Sequence, residues 1–380
     1  SSCSPSLPSL GLRRLLIGTA LAITSKLSKI TDLTRVNQWW AFKLPLPIGI
    51  ACAYAYSNQI GAGPFAVAAL LLLLCGVTAA LFASVINDIA DLEQDRLAGK
   101  ERAIVTLGPT GRSLVLSAVV GLSIATALTL QKYCHPYACL SYLAIIAVFM
   151  AYSIEPVRLK RRSYWGLMAV ALGEHVLPTL LALFLLLPLT STVDLWKWLL
   201  SAGIWSFAFG LRGIIWHQIS DLRADELGKC ATAATTIGEK KLALAAGCFI
   251  FPLELLSFGY LLLLSDNVLS YVFLLLHVVV EFLNFKYMQA GLIIVSPKEN
   301  GRFILFEYYQ LFLPLSMLLS LTMHESAYGI ALVVFMILFA EPIQRLLKIL
   351  LHLIRWRVLP VAFDRSKQKD CAGLERFEQL

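Results

Sequence analysis

Charged residues are scarce in this chain. Asp, Glu, Lys and Arg make up 15% of its 380 residues, whereas apolar residues make up 58%, and the mean hydropathy is +0.74. This balance excludes an ordinary soluble globular domain. Glycine-rich phosphate loops and Walker motifs are absent, which argues against ATP-driven transport. The eight cysteines form no C-x-x-C pair and have no zinc-ligand spacing, so neither a redox motif nor a zinc site is predicted.

Long apolar runs recur along nearly the whole chain instead. A membrane helix needs about 20 mostly apolar residues to cross a hydrocarbon core of ~30 Å. Ten such spans are predicted, at residues 38–56, 64–86, 113–131, 137–153, 165–187, 196–217, 242–264, 267–288, 303–322 and 327–350. A soluble bundle of core helices is the alternative, and the density of apolar runs disfavours it. The expected fold is therefore an all-α, polytopic membrane bundle.

Basic residues test this count independently, because Lys and Arg accumulate in cytoplasmic loops. They are concentrated after spans two, four, six and eight: Arg96, Lys100, Arg102, Arg112, Arg158, Lys160, Arg161, Arg162, Arg223, Lys229, Lys240, Lys241, Lys298 and Arg302. This pattern predicts that these loops and both termini are cytoplasmic. The net charge of +8 then reflects topology and anionic lipid headgroups, and no nucleic-acid partner need be invoked.

Two acidic clusters stand where apolar runs end. Asp88, Asp91 and Asp95 follow span two at spacings i, i+3 and i+7, and Asp221 and Asp225 follow span six at i, i+4. Each set shares one helical face, where the carboxylates repel one another unless a cation binds. Carboxylate oxygens suit Mg²⁺, which is usually held by one or two carboxylates together with substrate phosphate oxygens. The sequence therefore predicts a Mg²⁺-dependent diphosphate site at a membrane surface.

Each acidic motif is followed by a basic, polar loop. A helical bundle in which the two motifs face each other would place carboxylates and bases at the mouth of a central cavity. The apolar interior would accept an isoprenoid tail, while metal ions and Lys or Arg would bind a charged head. This layout predicts an amphiphilic substrate.

These residues resemble the UbiA superfamily of intramembrane prenyltransferases. The family patterns N-D-x-x-D-x-x-x-D and D-x-x-x-D are matched at Asn87, Asp88, Asp91 and Asp95, and at Asp221 and Asp225. The stretch from Tyr152 to Arg161 looks like the family's tyrosine-to-basic segment after the fourth helix, where a cation contacts the diphosphate. The resemblance covers about residues 35–325 and implies nine helices around a lipid-accessible cavity, or nine to ten with the extra C-terminal span.

The resemblance also implies roles for individual residues. Mg²⁺ would be bound by Asp88, Asp91, Asp95, Asp221 and Asp225. The diphosphate would be contacted by Asn87, Arg102, Arg158, Lys160 and Lys229. Asp91 and Asp221 would be essential for catalysis, in which the allylic C1–O bond ionises and the prenyl group passes to an acceptor. The implied activity is that of a prenyltransferase acting on a polyprenyl diphosphate and an unidentified small-molecule acceptor within the membrane.

One departure from the family pattern leaves the acceptor open. Members that prenylate aromatic acids or quinone precursors carry Asn-Arg-Pro after the first motif, whereas this chain reads Lys100-Glu101-Arg102-Ala103. The family's terpene-cyclising branch, which needs no acceptor, is therefore one alternative. A secondary transporter with intramembrane carboxylates is another. A transporter should place its charges mid-membrane on broken helices, whereas these aspartates lie at helix ends.

Several polar residues lie within the predicted spans. Burying Arg212 in span six costs about 2.5–3.5 kcal/mol on insertion scales, so we expect it to face the cavity or an acidic partner. Tyr152 and His217 are further candidates to line the cavity or contact an acceptor, and His217 either takes a proton or forms a hydrogen bond within the bundle. The remaining polar residues should face the interior, one of them as a candidate acceptor contact: Glu174, His175, Glu254, Glu281 and Asn284.

The chain is predicted to have four parts. They are an N-terminal basic segment at 1–35, a UbiA-like membrane domain at 36–325, an extra transmembrane or interfacial helix at 326–355, and a polar tail at 356–380. Residues 1–31 are rich in serine and contain no acidic residue. That composition fits either an amphipathic surface helix or the remnant of an organellar transit peptide.

Overall fold

The computed structural model describes residues 31–97, 102–187, 194–228 and 230–353, and their regular structure is nearly all helical. The first nine helices are α1 (Val36–Lys43), α2 (Pro45–Ser57), α3 (Ala62–Ala90), α4 (Leu92–Leu97), α5 (Ala103–Thr106), α6 (Pro109–Tyr133), α7 (Pro136–Ser153), α8 (Tyr164–Leu186) and α9 (Leu195–Ser220). The others are α10 (Leu222–Leu227), α11 (Ala233–Ile237), α12 (Glu239–Ser265), α13 (Val268–Met288), α14 (308–324), α15 (Tyr328–Leu338) and α16 (Ala340–Leu353). A 3₁₀ turn occupies Leu159–Arg161, and two short strands, β1 (Gly291–Ile293) and β2 (Gly301–Phe303), pair in parallel.

Predicted spans two to eight match helices α3, α6, α7, α8, α9, α12 and α13, which are long and apolar enough to cross a membrane. The first predicted span is instead split into α1 and α2, because Pro45 has no N–H for the carbonyl of Ala41. The ninth begins at residue 308 rather than 303, and the tenth is bent by 74° between α15 and α16. Within the described ranges, seven helices qualify as spans, or eight if the bent pair is one. The predicted count of nine to ten is therefore not confirmed.

Three of the described helices contain a π-helical turn, at Ala171–Val176 in α8, Ala246–Ile250 in α12 and Tyr308–Phe312 in α14. A proline follows each turn two residues later: Pro178, Pro252 and Pro314. Proline has no N–H for the carbonyl four residues before it, and an inserted wide turn is one way a helix accommodates that loss. The turn in α8 carries Glu174, which becomes important below.

The centre of the bundle is formed by α2, α8 and α9. Every residue of α2 from Pro45 to Ala55 is buried, and 61% of the apolar stretch in both α8 and α9 is buried, compared with 22% in the peripheral α6. Helices α8 and α9 approach closely at Gly210, where an added Cβ would lie 2.8 Å from the His175 ring and 3.0 Å from the Ala171 backbone. Large apolar side chains such as Leu128 and Leu256 point outward, as lipid contact requires. The packing therefore suits a bundle embedded in a membrane.

A buried ion pair ties the short strands to this bundle. Arg212 of α9 donates two hydrogen bonds of 2.7 Å to Glu254 of α12, and both side chains are fully buried. The same guanidinium reaches the carbonyls of Ile294 and Ile304, at 3.3 and 2.9 Å, and lies 3.9 Å from the Phe303 ring. The sequence predicts that Arg212 faces either the cavity or an acidic partner, and the structure shows that it pairs with an acidic partner.

Candidate functional site

A cavity of about 330 Å³ lies inside the bundle, at the lower end of the usual range for small-molecule sites. Its lining along α3 runs from Leu72 to Asn87, a distance of about 22 Å at 1.5 Å per residue. The cavity is therefore elongated. Its walls near Leu72 are apolar, with Ile48 and Leu181 contributing.

Polar residues cluster at the other end of the cavity. Arg35 precedes α1, while Asn87, Tyr152 and His217 lie in the last turns of α3, α7 and α9. The beginning of α1 lies beside the C-terminal ends of these three helices, so all four residues are on the same side of the bundle. The cavity thus joins an apolar interior to a polar mouth, as an amphiphile requires.

The three carboxylates of the first acidic motif each contact a basic side chain. Asp88, in the last turn of α3 and only 3% exposed, pairs with Arg35. Asp91, the residue that ends α3, accepts a hydrogen bond of 2.9 Å from Arg158 and a further one from Lys160. Asp95 lies 3.6 Å from the Nε of Arg102 and is also buried.

The basic segment after α7 folds back onto this motif. Arg158 begins the 3₁₀ turn in a left-handed conformation, with φ of 33°, and also pairs with Glu155 at 3.0 Å. Its neighbour Lys160 reaches the amide oxygen of Asn87 at 3.4 Å as well as Asp91. Burial lowers the pKa of Lys160, and its hydrogen bond to Asp91 opposes that shift. The structure thus brings together the first motif and the predicted tyrosine-to-basic segment.

The second motif is much more open. Asp221 ends α9 and lies 3.2 Å from the Nδ1 of His217, one turn earlier; both side chains are more than half exposed. Asp225 is half-buried in α10. Tyr152, in the last turn of α7, lines the mouth of the cavity together with His217, the partner of Asp221.

No group of three or more His, Cys, Asp or Glu side chains is arranged to hold a metal within the described ranges. In the first motif the carboxylates are engaged by basic partners instead. The assignment of Asp88, Asp91, Asp95, Asp221 and Asp225 as Mg²⁺ ligands remains a prediction. Lys229, a predicted diphosphate contact, lies outside the described residues.

Two cavity residues escaped the sequence reasoning. Arg35 is the last residue of the predicted N-terminal basic segment, 1–35, yet it pairs with Asp88. Lys43 lies inside the first predicted span and lines the cavity, where it pairs with Glu174. A lysine within an apolar run is itself a signal for an interior position, and that signal could have identified Lys43.

Comparisons with known proteins show a family match and a similar fold. The sequence model described as the UbiA prenyltransferase family matches residues 44–292. A UbiA homolog from Archaeoglobus fulgidus, in a structure with GPP and Mg²⁺, has 18% identity and a TM-score of 0.54 over 80% of this chain and 99% of that chain. The same homolog with Cd²⁺ has 17% identity and a TM-score of 0.52 over 79% and 99%.

A UbiA homolog from Aeropyrum pernix K1 shows 16% identity and a TM-score of 0.49, covering 74% of this chain and 96% of that chain. At such identities, likeness shows at most a shared fold. No curated protein matches the sequence.

Proposed function

The chain belongs to the UbiA prenyltransferase family, and on that premise we propose that it transfers a prenyl group from a prenyl diphosphate to an acceptor within the membrane. The observation that carries the proposal is the elongated cavity, apolar near Leu72 and polar at Asn87, Tyr152 and His217. An isoprenoid chain fits the first environment and a diphosphate the second. One solved structure of the similar Archaeoglobus fulgidus homolog contains GPP with Mg²⁺.

The depth of the carboxylates supports an enzyme over a transporter. Asp88 is in the last turn of α3, and Asp91 and Asp221 are the residues at which α3 and α9 end. A transporter that couples to ions would use carboxylates near mid-membrane on broken helices. Carboxylates at the mouth instead suit a substrate whose head stays at the surface while its tail enters the bundle.

The donor set at the mouth fits Mg²⁺, because Asp88, Asp91, Asp95, Asp221 and Asp225 offer only carboxylate oxygens. We propose that these five residues hold Mg²⁺ ions. Arg102, Arg158 and Lys160, which contact the first-motif carboxylates, would bind the diphosphate. Bound Mg²⁺ would neutralise diphosphate charge and so ease the breaking of the C1–O bond.

The chain's own residues would stabilise the separated charges. When the C1–O bond breaks, the diphosphate leaves with the electron pair, and the cations of Arg158 and Lys160 stabilise it. The apolar lining next to the mouth, which includes Ala80 and Ala83 of α3 and Ile214 of α9, keeps water from the allylic cation. Asn87 hydrogen-bonds Lys160 and so orients that ammonium.

The test is metal-dependent release of diphosphate. The full chain in detergent or nanodiscs is incubated with radiolabelled geranyl, farnesyl and geranylgeranyl diphosphates, with Mg²⁺ or with EDTA. We expect release only with Mg²⁺, and a fall of roughly 100- to 1,000-fold in Asp91→Ala, the range for removing one preorganised charge-stabilising group. Glu93→Ala is the matched control, because Glu93 is an exposed carboxylate between Asp91 and Asp95.

Absence of metal-dependent release from every chain length would remove the enzymatic proposal. Release with a cyclised product and no acceptor requirement would instead assign the chain to the terpene-cyclising branch. Wild-type turnover in Asp91→Ala would refute the assignment of that residue.

We also propose the topology that the basic loops predict, with both termini and both acidic motifs on the cytoplasmic side. Together with the seven long apolar helices, the split helix α1–α2 and helix α14 would then give nine spans. Helices α15 and α16 would form an additional bent element, and residues 1–35 and 356–380 would be flanking segments. Labelling of single cysteines by an impermeant maleimide tests the sidedness. Cysteine at Arg223 should react only after the cytoplasmic face is opened, and cysteine at Lys132 should react from the opposite face.

A further inference from the structure

Lys43 and Glu174 form an ion pair in the cavity wall that the proposed function leaves unused. Their Nζ and Oε2 atoms are 2.6 Å apart, and 35% and 24% of the two side chains remain exposed. Both residues line the cavity. Glu174 lies in the π turn of α8, about 15 Å along the helix from its first residue. The pair is therefore deeper than the acidic motifs, on walls that a bound molecule would touch.

Cationic side chains in the described lining of the cavity are already matched by carboxylates. Arg35 pairs with Asp88 and Lys43 with Glu174, while the titratable His217 contacts Asp221. An anionic group placed beside Lys43 would have to displace Glu174. That carboxylate would then stay unpaired in a poorly solvated site, which is costly.

A hydroxyl group placed beside Lys43 does not displace Glu174 and so avoids the free-energy cost of an unpaired carboxylate. Its O–H can donate to the carboxylate of Glu174, and its oxygen can accept from the ammonium of Lys43. Neither hydrogen bond requires the ion pair to break. The pair thus favours an uncharged hydroxyl compound over a carboxylate.

The pair also adjoins the reacting end of the cavity. Glu174 lines the same cavity as Asn87, Tyr152 and His217, the residues at its mouth. A hydroxyl on Glu174 would therefore lie between the apolar interior and the mouth, where C1 of a prenyl diphosphate would be held.

We infer that Lys43 and Glu174 form the acceptor site, and that the acceptor is an uncharged alcohol or phenol. This inference rests on the proposed prenyl transfer. The acceptor oxygen forms a bond to C1 as the C1–O bond to the diphosphate breaks. The diphosphate leaves with that electron pair, and the O–H proton passes to the carboxylate of Glu174.

The experiment compares two probes that share a phenol and differ by one charge. Octylphenol and 5-octyl-2-hydroxybenzoate, the free carboxylate called octylsalicylate below, are offered separately to the full chain in nanodiscs with Mg²⁺ and radiolabelled geranylgeranyl diphosphate. Diphosphate release and label in the phenol are both measured. We expect the wild type to label octylphenol at least about tenfold faster than octylsalicylate, as expected when a like charge is juxtaposed at a binding site.

Glu174→Gln should lower the label in octylphenol and abolish this preference, because it removes the proton acceptor and leaves the ammonium of Lys43 available to a carboxylate. Lys43→Gln, which keeps the carboxylate, should disfavour octylsalicylate further and provides a second reading if Glu174→Gln does not fold. Asp194→Asn is the matched control, because it breaks a pair of the same length with Lys197, 2.6 Å, at the far end of α9. It should leave both rates unchanged.

The possible outcomes distinguish a failure of the proposed prenyl transfer from a failure of the proposed acceptor site. Absence of Mg²⁺-dependent release in the wild type would remove prenyl transfer itself. Three results would overturn the acceptor site alone while Mg²⁺-dependent release is retained. They are faster labelling of octylsalicylate than of octylphenol by the wild type, label in neither phenol, and an unchanged preference for octylphenol in Glu174→Gln.

Discussion

The two acidic motifs are held in different ways. In the first, three carboxylates contact basic side chains from three other parts of the chain: Arg35 before α1, Arg102 before α5, and Arg158 with Lys160 after α7. In the second, Asp221 contacts only its helical neighbour His217 among the ion pairs of the described residues, and more than half of its side chain is exposed.

Because of this difference, the contribution of each acidic motif to stability can be distinguished from its contribution to activity. Because distant segments converge on the first motif, its carboxylates stabilise the bundle as well as offering ligands. Among the ion pairs of the described residues, Asp221 of the second motif pairs only within its own helix, so its contribution to stability should be small. If both motifs hold Mg²⁺, their removal should cost similar activity and very different stability.

The largest expected effect is on activity. Asp221→Ala should lower Mg²⁺-dependent diphosphate release by roughly 100- to 1,000-fold, as much as Asp91→Ala, despite the exposure of Asp221. Glu226→Ala, a nearby exposed carboxylate of α10, should keep wild-type release. A rate for Asp221→Ala close to that of the control would show that only the first motif serves the reaction.

The next effect is on stability. Asp88→Ala leaves the guanidinium of Arg35 without its buried partner, so the free energy of unfolding should fall by about 1–3 kcal/mol. Asp221→Ala should change it by less than about 0.5 kcal/mol, since the pair is exposed. Denaturant titration in detergent measures both. The double variant Arg35→Met with Asp88→Leu should recover part of the loss, because neither charge then remains buried; equal losses at Asp88 and Asp221 would contradict the comparison.

The smallest effect concerns the partners of these carboxylates. His217→Gln removes an exposed contact within α9 and should change the free energy of unfolding by less than about 0.5 kcal/mol. Arg35→Gln, in the first motif, should cost about 1–3 kcal/mol, because Asp88 stays buried beside it. Thermal unfolding of the two variants in the same detergent makes the comparison, and a His217 effect as large as that of Arg35 would argue against it.

Much of the helical framework was predictable. Helices α3 and α6 to α9 follow the apolar runs to within a few residues, and both acidic motifs stand at helix ends as expected. The failures occur where proline or a bend interrupts a run. Pro45 splits the first span, and α15 and α16 meet at 74° within the tenth. Hydropathy averages over a window and is insensitive to such local breaks.

The site was predictable only in part. Carboxylate spacing identified the residues at the mouth, whereas the partners of those carboxylates came from elsewhere. Arg35 lies 53 positions before Asp88, and the pairing of Arg212 with Glu254 was foreseen only as an unnamed acidic partner. No local pattern specifies which distant helix brings a base to a given carboxylate.

The sequence by itself determined that this is a membrane bundle with carboxylates at two helix ends, because apolar length and residue spacing are local properties of the chain. Only the tertiary structure decided that the first motif is neutralised by three distant segments and that Lys43 meets Glu174 inside the cavity. The physical reason is that ion pairing depends on the distance between side chains, and helix packing sets that distance.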